Sequence, residues 1–235
     1  FYKKSLLGIQ KTASILADKL DKNFKRASSV PKKQSKKIED VTDFDELRIL
    51  VHSNPALTHI GTKKPKLLEV RVGGSLNDQL AYAKENLGKT ITVSSLFTEG
   101  DNVDVQGVTK GKGFQGTVKR YGVPIRQHKA EKTKRGIGNL GSWTPKRVQF
   151  SVAQSGKMGY HSRTEYNKPI IKIGELGDDV TRVGGIQKYG IVHNAYVLLH
   201  GSVVGPRKRA LLLTRARRQT KKLGKDAFQV TLISR

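Results

Sequence analysis

The sequence predicts a mainly β fold that carries one small α/β unit and one long irregular segment. From residue 102 onwards, short alternating apolar stretches are separated by glycine-rich turns, which is the pattern of a β-barrel. Residues 45–93 instead show strand and helix signals in alternation. Between Val108 and Arg147, nearly forty residues show no convincing strand or helix, which is uncommon inside a compact domain.

The first part of the chain predicts a helix followed by a basic linker. One helix face over residues 9–24 is predicted by apolar residues at helical spacing, namely Ile9, Ala13, Leu16, Leu20 and Phe24. The lysine-rich residues 31–37 predict a solvated loop. We therefore assign residues 1–44 to an N-terminal helix and a basic linker.

Residues 45–97 predict an inserted α/β unit. Ser75 is typical of a helix N-cap and Gly88 of a helix end, and the apolar spacing between them predicts a helix. Strands are predicted around this helix at residues 47–51, 67–72 and 90–93.

The remaining predicted elements are strands, and they define the other domain boundaries. The strands are predicted at residues 103–108, 148–152, 170–173, 191–193, 195–200 and 211–214, with a hairpin that turns near Asn194. We assign residues 98–108 and 147–216 to a β-barrel, residues 109–146 to an extended basic glycine-rich loop, and residues 217–235 to a basic C-terminal segment.

The positive charge of the chain is concentrated in two segments. The whole sequence has 45 Lys and Arg against 19 Asp and Glu, a formal net charge of +26. Residues 108–168 carry 14 basic and 2 acidic side chains, residues 204–235 carry 10 and 1, and the segment between them is balanced. Such a distribution indicates binding surfaces on a scaffold. Because a polyanion would relieve the self-repulsion, we expect a nucleic acid partner.

Several classes of function are excluded by composition. The absence of cysteine excludes disulfides, zinc fingers and thiol catalysis. The six histidines show no compact ligand spacing, so we expect no metal site. No apolar run approaches the roughly 18 residues of a membrane span, so we expect no membrane partner. Since the chain begins at Phe1 without a signal peptide, we expect a fragment of a cytoplasmic protein.

A glycine-rich segment resembles a cofactor loop in its spacing alone. Gly111 to Gly116 matches the pattern G-x-G-x-x-G, which in dinucleotide-binding proteins is followed at once by a helix. Residues 117–122 instead predict extended chain, so we expect no cofactor. The glycines then serve to bring the backbone close to phosphates, with neighbouring cations supplying charge.

Two further segments raise alternatives to RNA binding. Trp143, the only tryptophan, could be a buried core anchor. Its neighbours are polar and cationic, however, and on this composition stacking on RNA bases is favoured to the same degree as burial. His161, Ser162 and Glu165 could suggest a catalytic triad. In an alternating strand, however, Ser162 faces away from His161, so we expect no catalytic site. We expect Glu165 to pair with Arg163 instead.

The basic and aromatic residues of these segments are the candidate RNA-binding residues. They are Lys110, Lys112, Lys119, Arg120, Lys129, Lys134, Arg135, Trp143, Arg147, Tyr160, His161, Arg163, Lys168, Arg207, Lys208 and Arg209.

Three segments carry a resemblance to a known family. VTKGKGFQG at residues 108–116, RGIGNLGSW at 135–143 and GYHSRTEYNK at 159–168 strongly resemble the universal large-subunit ribosomal protein three family. HGSVVGP at residues 200–206 resembles the archaeal branch. The resemblance runs in order from Leu47 to the end of the chain, whereas the basic N-terminal arm of the family has no counterpart.

The resemblance implies a fold, a partner and a function. It implies a six-stranded translation-protein β-barrel with an inserted α/β unit, and an extension that penetrates the large-subunit RNA toward the peptidyl transferase centre. It also implies a ribosome-bound structural protein, neighboured by other large-subunit proteins, that supports early subunit assembly and translation. Trp143 matches the tryptophan near the tip of the extension, but Ser142 and Thr144 replace the Pro and His that commonly flank it.

Two rival functions remain open on the sequence. An RNA-modifying enzyme would use the glycine-rich loop for a nucleotide cofactor and should bind that cofactor tightly. A DNA-compacting protein should show no preference for RNA, whereas we expect RNA and not DNA to be the partner.

Overall fold

The computed structural model describes residues 1–31, 37–58, 60–130, 132–175, 180–181, 183–219 and 228–232. It divides into two compact units. The first unit comprises Phe1–Asp101, Pro169–His200 and Lys221–Arg235, and the second unit comprises Asn102–Lys168 and Gly201–Thr220.

The chain is mainly β, as the sequence predicts, with about twice as much strand as helix. The strands are β1 (Tyr2–Ser5), β2 (Gly8–Lys11), β3 (Arg48–His52), β4 (Leu67–Arg71), β5 (Asn102–Val108), β6 (Phe114–Gln115), β7 (Gly156–Lys157), β8 (Ser162–Gly174), β9 (Tyr196–Leu199) and β10 (Leu212–Arg215). The helices are α1 (Leu76–Asn86) and α2 (Thr117–Tyr121), with short 3₁₀ turns at Phe24–Arg26, Ile38–Asp40 and Pro55–Leu57.

Four of the strands are linked by hydrogen bonds in the order β10-β5-β8-β9. In the second unit, β10 pairs antiparallel with β5, which places Leu213 opposite Val105. In the first unit, the later part of β8 pairs antiparallel with β9, which places Ile170 opposite Leu199. The other strands form three separate pairs, and the described residues contain no closed barrel.

A buried carboxylate organises the second unit. Asp104 in β5 is only 2% exposed and lies between the buried Val103 and Val105. Its carboxylate accepts hydrogen bonds from the backbone N–H groups of Asn167 at 3.0 Å and Arg217 at 3.1 Å. A buried carboxylate is costly unless it is hydrogen-bonded, so these two bonds tie β8 and the segment after β10 to β5.

The first unit has an aromatic and aliphatic core. Phe24, Phe44, Leu47, Phe97 and Ile170 are its buried apolar side chains among the described residues. A hydrophobic core of this kind supplies most of the stability of a small unit, because apolar area removed from water contributes roughly 25 cal/mol per Å².

Helix α1 begins where the sequence predicts. Ser75 Oγ accepts from Asp78 N at 3.3 Å, and Asp78 Oδ2 accepts from Ser75 N at 3.2 Å, which forms a capping box. The buried Gln79 then joins α1 to β3, because its Oε1 accepts from Leu47 N at 3.1 Å. Gly88 has φ +79 just after the helix, as predicted for its end.

A buried carboxylate just before β3 pairs with one arginine of β3 and one arginine of β4. Glu46 is 3% exposed, and its carboxylate accepts from Arg48 Nε at 2.7 Å and lies 3.6 Å from Arg71 Nε. The hydrogen bond from Arg48 is the main reason why the pKa of Glu46 lies below its ordinary value.

The helix predicted over residues 9–24 is wrong. Ile9 lies in β2, opposite Lys4 of β1, and Gly8 makes the turn between them with φ +116. Residues 12–23 form neither helix nor strand, and Phe24 begins a 3₁₀ turn. The apolar spacing does not form a helix face here, because Ile9 is 49% exposed and does not share the core with Phe24. Most of the predicted basic linker, residues 32–36, lies outside the described residues.

Most predicted strands are confirmed within a residue or two, but three are wrong. Residues 90–93 lead into a turn, in which Leu96 N and Phe97 N both donate to Val93 O. Residues 148–152 form no strand, and Phe150 is fully exposed. Residues 191–193 form no hairpin with β9, which pairs with β8 instead. Alternating hydrophobicity indicates a strand only where a partner edge is available. Of the C-terminal segment 217–235, residues 220–227 and 233–235 lie outside the described residues.

Replacing Asp104 with Ala should lower the free energy of unfolding by about 2–4 kcal/mol, because two N–H groups lose a charged acceptor. Urea unfolding followed by circular dichroism measures this change. Asp18→Ala is the matched control, since Asp18 is exposed and its loss changes the net charge equally. If the two variants unfolded at the same urea concentration, Asp104 would not hold the second unit together.

Candidate nucleic-acid interface

A two-stranded ribbon in the second unit forms the base of the site. β6 pairs with β7, which places Phe114 opposite Lys157. Backbone bonds extend the pairing on one side, from Lys112 N to Met158 O at 3.0 Å and from Thr109 N to His161 O at 2.9 Å. The ribbon therefore joins the first residues of the predicted extension to the chain that follows the extension.

Gly159 is required where the two strands of the ribbon come closest. Its φ is +73, and a Cβ built there would lie 2.1 Å from the backbone oxygen of Lys110. Both the left-handed conformation and the close approach exclude a side chain. The next residue, Tyr160, also has a positive φ of 56, so the chain turns sharply before β8.

A helix follows the glycine-rich loop, and the sequence prediction of extended chain at residues 117–122 is wrong. Thr117 is buried, and its hydroxyl donates to Arg135 O at 3.1 Å, which fixes the extension against α2. Gly122 ends the helix with φ +70. The β-branched Thr117 and Val118 disfavour helix in isolation, so tertiary contacts decide the conformation of this segment.

A cavity of about 510 Å³ opens between the ribbon and α2. Its lining includes five cationic side chains, namely Lys110, Lys112, Arg120, Lys157 and Arg163, and no carboxylate from the described residues. Thr109, Tyr121, Met158 and His161 also line it. Five cations around one cavity repel each other, and a bound anion would relieve that repulsion.

Two arginines of the site are held in place by backbone carbonyl groups. Arg120 Nη1 donates to Gln154 O at 2.7 Å, and Arg209 Nη1 donates to Val108 O and Thr109 O, both at 3.1 Å. The Arg209 guanidinium carbon lies 5.3 Å from the ring centroid of Tyr160, and Lys157 Nζ lies 5.8 Å from it. These contacts fix cations before any partner binds.

The extension presents Trp143 to solvent. Its side chain is 86% exposed, which excludes the core-anchor interpretation for this chain. Lys146 N donates to Trp143 O at 3.0 Å, so the tryptophan lies at a tight turn. At the base of the extension, Arg126 N donates to Lys134 O at 3.1 Å.

All sixteen predicted RNA-binding residues lie in the second unit. Five of them line the cavity, namely Lys110, Lys112, Arg120, His161 and Arg163. Tyr160 and Arg209 contact each other beside it. Lys119 lies on α2 outside the cavity lining, and the side chains of Lys129, Lys134, Arg135 and Arg147 are exposed on the extension. Arg207 and Lys208 are exposed after the turn at Gly205.

One predicted pair is wrong, and five cavity residues were not predicted as binding residues. Glu165 Oε2 lies 3.1 Å from Lys168 Nζ, whereas Arg163 Nη1 donates to Ser162 O. The unpredicted residues are Thr109, Tyr121, Lys157, Met158 and Gly159. Gly156 and Gly159 enclose Lys157 and Met158 in the sequence, and this pair of glycines was the available signal.

The described residues contain no group of three or more His, Cys, Asp or Glu side chains that could hold a metal ion. No helix among them is long and apolar enough to cross a membrane.

The comparisons with known proteins identify the family. Residues 2–234 match the family described as Ribosomal protein L3. The chain is 48% identical to the large ribosomal subunit protein uL3 of Methanocaldococcus jannaschii, over 94% of this chain and 68% of that protein. It is 42% identical to uL3 of Methanococcus aeolicus, over 92% and 67%, and 44% identical to uL3 of Methanosphaera stadtmanae, over 94% and 69%.

The chain therefore belongs to the Ribosomal protein L3 family. These relatives come from archaeal methanogens, which confirms the resemblance to the archaeal branch. The matches span about two thirds of the length of the relatives.

Replacing Gly159 with Ala should destabilise the ribbon, because the new Cβ meets the Lys110 carbonyl oxygen. Left-handed strain alone costs about 1–3 kcal/mol, and the clash adds to it. Gly113→Ala is the control, since Gly113 has a similar φ of +68 and open space around its Cβ position. Thermal unfolding should rank the wild type above Gly113→Ala, and Gly113→Ala above Gly159→Ala. Equal losses in the two variants would contradict the close approach.

Proposed function

We propose that this chain is a structural constituent of the large ribosomal subunit and that its second unit binds ribosomal RNA. Membership of the Ribosomal protein L3 family supports this function, and the named relatives are proteins of the large ribosomal subunit. The role is structural and not enzymatic, as the family is. The protein works in the cytoplasm as part of the ribosome, beside neighbouring large-subunit proteins.

The observation that carries the RNA-binding proposal is the exposure of every aromatic side chain in the second unit. Its six Phe, Tyr and Trp residues are all more than half exposed, namely Phe114, Tyr121, Trp143, Phe150, Tyr160 and Tyr166. In the first unit, by contrast, Phe24, Phe44 and Phe97 are buried. Aromatic side chains normally supply core area, so a unit that exposes all of them presents them to a partner.

The charge around these aromatic side chains identifies the partner as RNA. The second unit carries twenty Lys and Arg, fourteen in residues 102–168 and six in residues 201–220, against Asp104, Glu131 and Glu165. Cations bind the backbone phosphates, and exposed rings stack on unpaired bases. Duplex DNA offers few unpaired bases, so the exposed rings favour RNA over a DNA-compacting role.

The extension supplies the deepest contacts in this proposal. Residues 109–146 enter the RNA and reach toward the peptidyl transferase centre, where Trp143 stacks on bases. The other fifteen predicted residues, on the extension and on the rest of the second unit, bind phosphates and bases. The strands of residues 98–108 and 147–216 complete a six-stranded translation-protein barrel, with residues 45–97 as the inserted unit. The antiparallel pairing of β10 with β5 and of β8 with β9, and the exposure of Trp143, support this arrangement. Early contact with RNA explains a role in subunit assembly.

Sedimentation tests the proposed function directly. The full chain, expressed with a tag in archaeal cells, is followed through a high-salt sucrose gradient of native lysate. We expect it to remain with large subunits at salt concentrations that remove loosely bound proteins, because many phosphate contacts and stacked bases act together. If it sediments mainly at the top as free protein, the structural role is wrong, and an RNA-modifying enzyme becomes the better hypothesis.

Replacing Trp143 with Ala should impair the subunit without destabilising the free chain. Because the side chain is 86% exposed, the free energy of unfolding should change by less than about 0.5 kcal/mol. The variant should be depleted from the salt-resistant large-subunit fraction, whereas Trp143→Phe, which keeps an aromatic ring, should be retained better. A large loss of stability in Trp143→Ala would contradict the exposed position, and full retention of this variant on the subunit would contradict stacking.

A further inference from the structure

The cavity beside α2 combines apolar and cationic walls. Tyr121 and Met158 supply an aromatic ring and a flexible apolar side chain, and the five cations lie around them. A surface that only follows the phosphates of a duplex needs neither a recess nor an apolar wall. A volume of about 510 Å³ lies in the range of pockets that enclose small organic ligands. The cavity therefore suits a ligand that has both a planar apolar part and an anionic part.

The ring of Tyr121 is held in position by a chain of contacts. The Arg120 guanidinium carbon lies 5.0 Å from the ring centroid, and Arg120 Nη1 donates to Gln154 O at 2.7 Å. Gly156 leaves room for this guanidinium, since a Cβ there would lie 3.0 Å from Nη1. Tyr121 itself remains 55% exposed. A ring that is supported by a fixed cation and still exposed is a preorganised stacking surface.

The four cavity cations other than Arg120 are placed to bind the anionic part of the ligand. Lys110, Lys112 and Lys157 lie on the ribbon, and Arg163 lies at the start of β8. Among the part of the chain that the structure describes, no carboxylate lines the cavity to neutralise them. A phosphate satisfies several such donors at once.

We propose that this cavity binds a single unpaired nucleotide of RNA, with its base against Tyr121 and Met158 and its phosphate among the lysines. The proposal rests on the proposed function and adds a defined ligand to it. A paired base is stacked inside its helix and cannot reach a ring within a cavity, whereas a bulged nucleotide can. An acidic peptide would satisfy the cations but offers no planar group for Tyr121.

Binding of two RNA hairpins to the full chain tests the proposal. One hairpin has a fully paired stem, and the other has the same loop and the same stem except for one bulged nucleotide in the stem, prepared with each of the four bases. Fluorescence anisotropy measures the Kd of each. The wild type should bind at least one bulged hairpin more tightly than the paired one. Tyr121→Ala should weaken binding of that bulged hairpin roughly five- to a hundredfold and leave binding of the paired one unchanged.

Two control variants separate stacking from general effects. Tyr121→Phe keeps the ring and should retain the preference for the bulged hairpin. Tyr82→Ala removes an exposed tyrosine from α1 in the first unit and should change neither Kd. Circular dichroism of each variant establishes that it is folded.

The possible outcomes distinguish this proposal from the proposed function. If the wild type binds RNA but prefers no bulged hairpin, or if Tyr121→Ala weakens both hairpins equally, the nucleotide site is wrong and RNA binding stands. If polyglutamate competes with the bulged hairpin as well as unlabelled RNA does, the cavity binds anions without recognising a base, and the proposal is also overturned. If the wild type binds neither hairpin nor large-subunit RNA, the proposed function fails as well.

Discussion

The buried carboxylate of Asp104 is the interaction on which the second unit most depends. Among the described residues of this unit, only Val103 and Val105 are buried apolar side chains, so hydrophobic burial contributes little there. Asp104 lies between them and accepts backbone N–H groups from Asn167 and Arg217. Three segments that are distant in sequence are thereby joined by directional bonds in place of a large core. The unit gains a defined fold at its centre while nearly all its other side chains remain available to a partner.

This arrangement explains where the aromatic residues lie. A unit that buried its six aromatic rings would gain core stability but lose its stacking surface. The second unit instead exposes all six, beside twenty cations. Self-repulsion and exposed apolar area both disfavour the free state, and binding to RNA removes both costs together. Binding to RNA therefore stabilises this unit and is at the same time its function. For this reason a protein of this kind acts as a structural part of a larger particle.

The sequence predicts elements that depend on local signals and fails where distant contacts decide. Helix α1 was predictable because Ser75 and Gly88 mark its ends. β5 was predictable because its alternating apolar residues Val103 and Val105 are both buried, although the burial of Asp104 between them was not predictable. Residues 9–24 have helical spacing, but the turn at Gly8 places Ile9 in a hairpin. Four of the five cavity cations were identified from the sequence and Lys157 was not, and the convergence of the five on one cavity was not predicted. That convergence depends on pairing residues 109–115 with residues 156–161, and no local pattern encodes it.

The cations of the second unit divide into two physical kinds, and the division indicates how affinity and selectivity are shared. Arg120 and Arg209 are anchored to backbone carbonyl groups, and each lies beside a tyrosine ring. An anchored guanidinium loses little conformational entropy on binding and presents its donors in one direction, so it favours a particular geometry of the partner. The exposed lysines of the extension, such as Lys129 and Lys134, have no such constraint. Under the proposed function they would act mainly through counterion release, which strengthens binding to any RNA backbone and weakens as salt rises. The proposed division is therefore that the exposed lysines supply general affinity, and that Arg120 on α2 and Arg209 supply the discrimination between RNA structures.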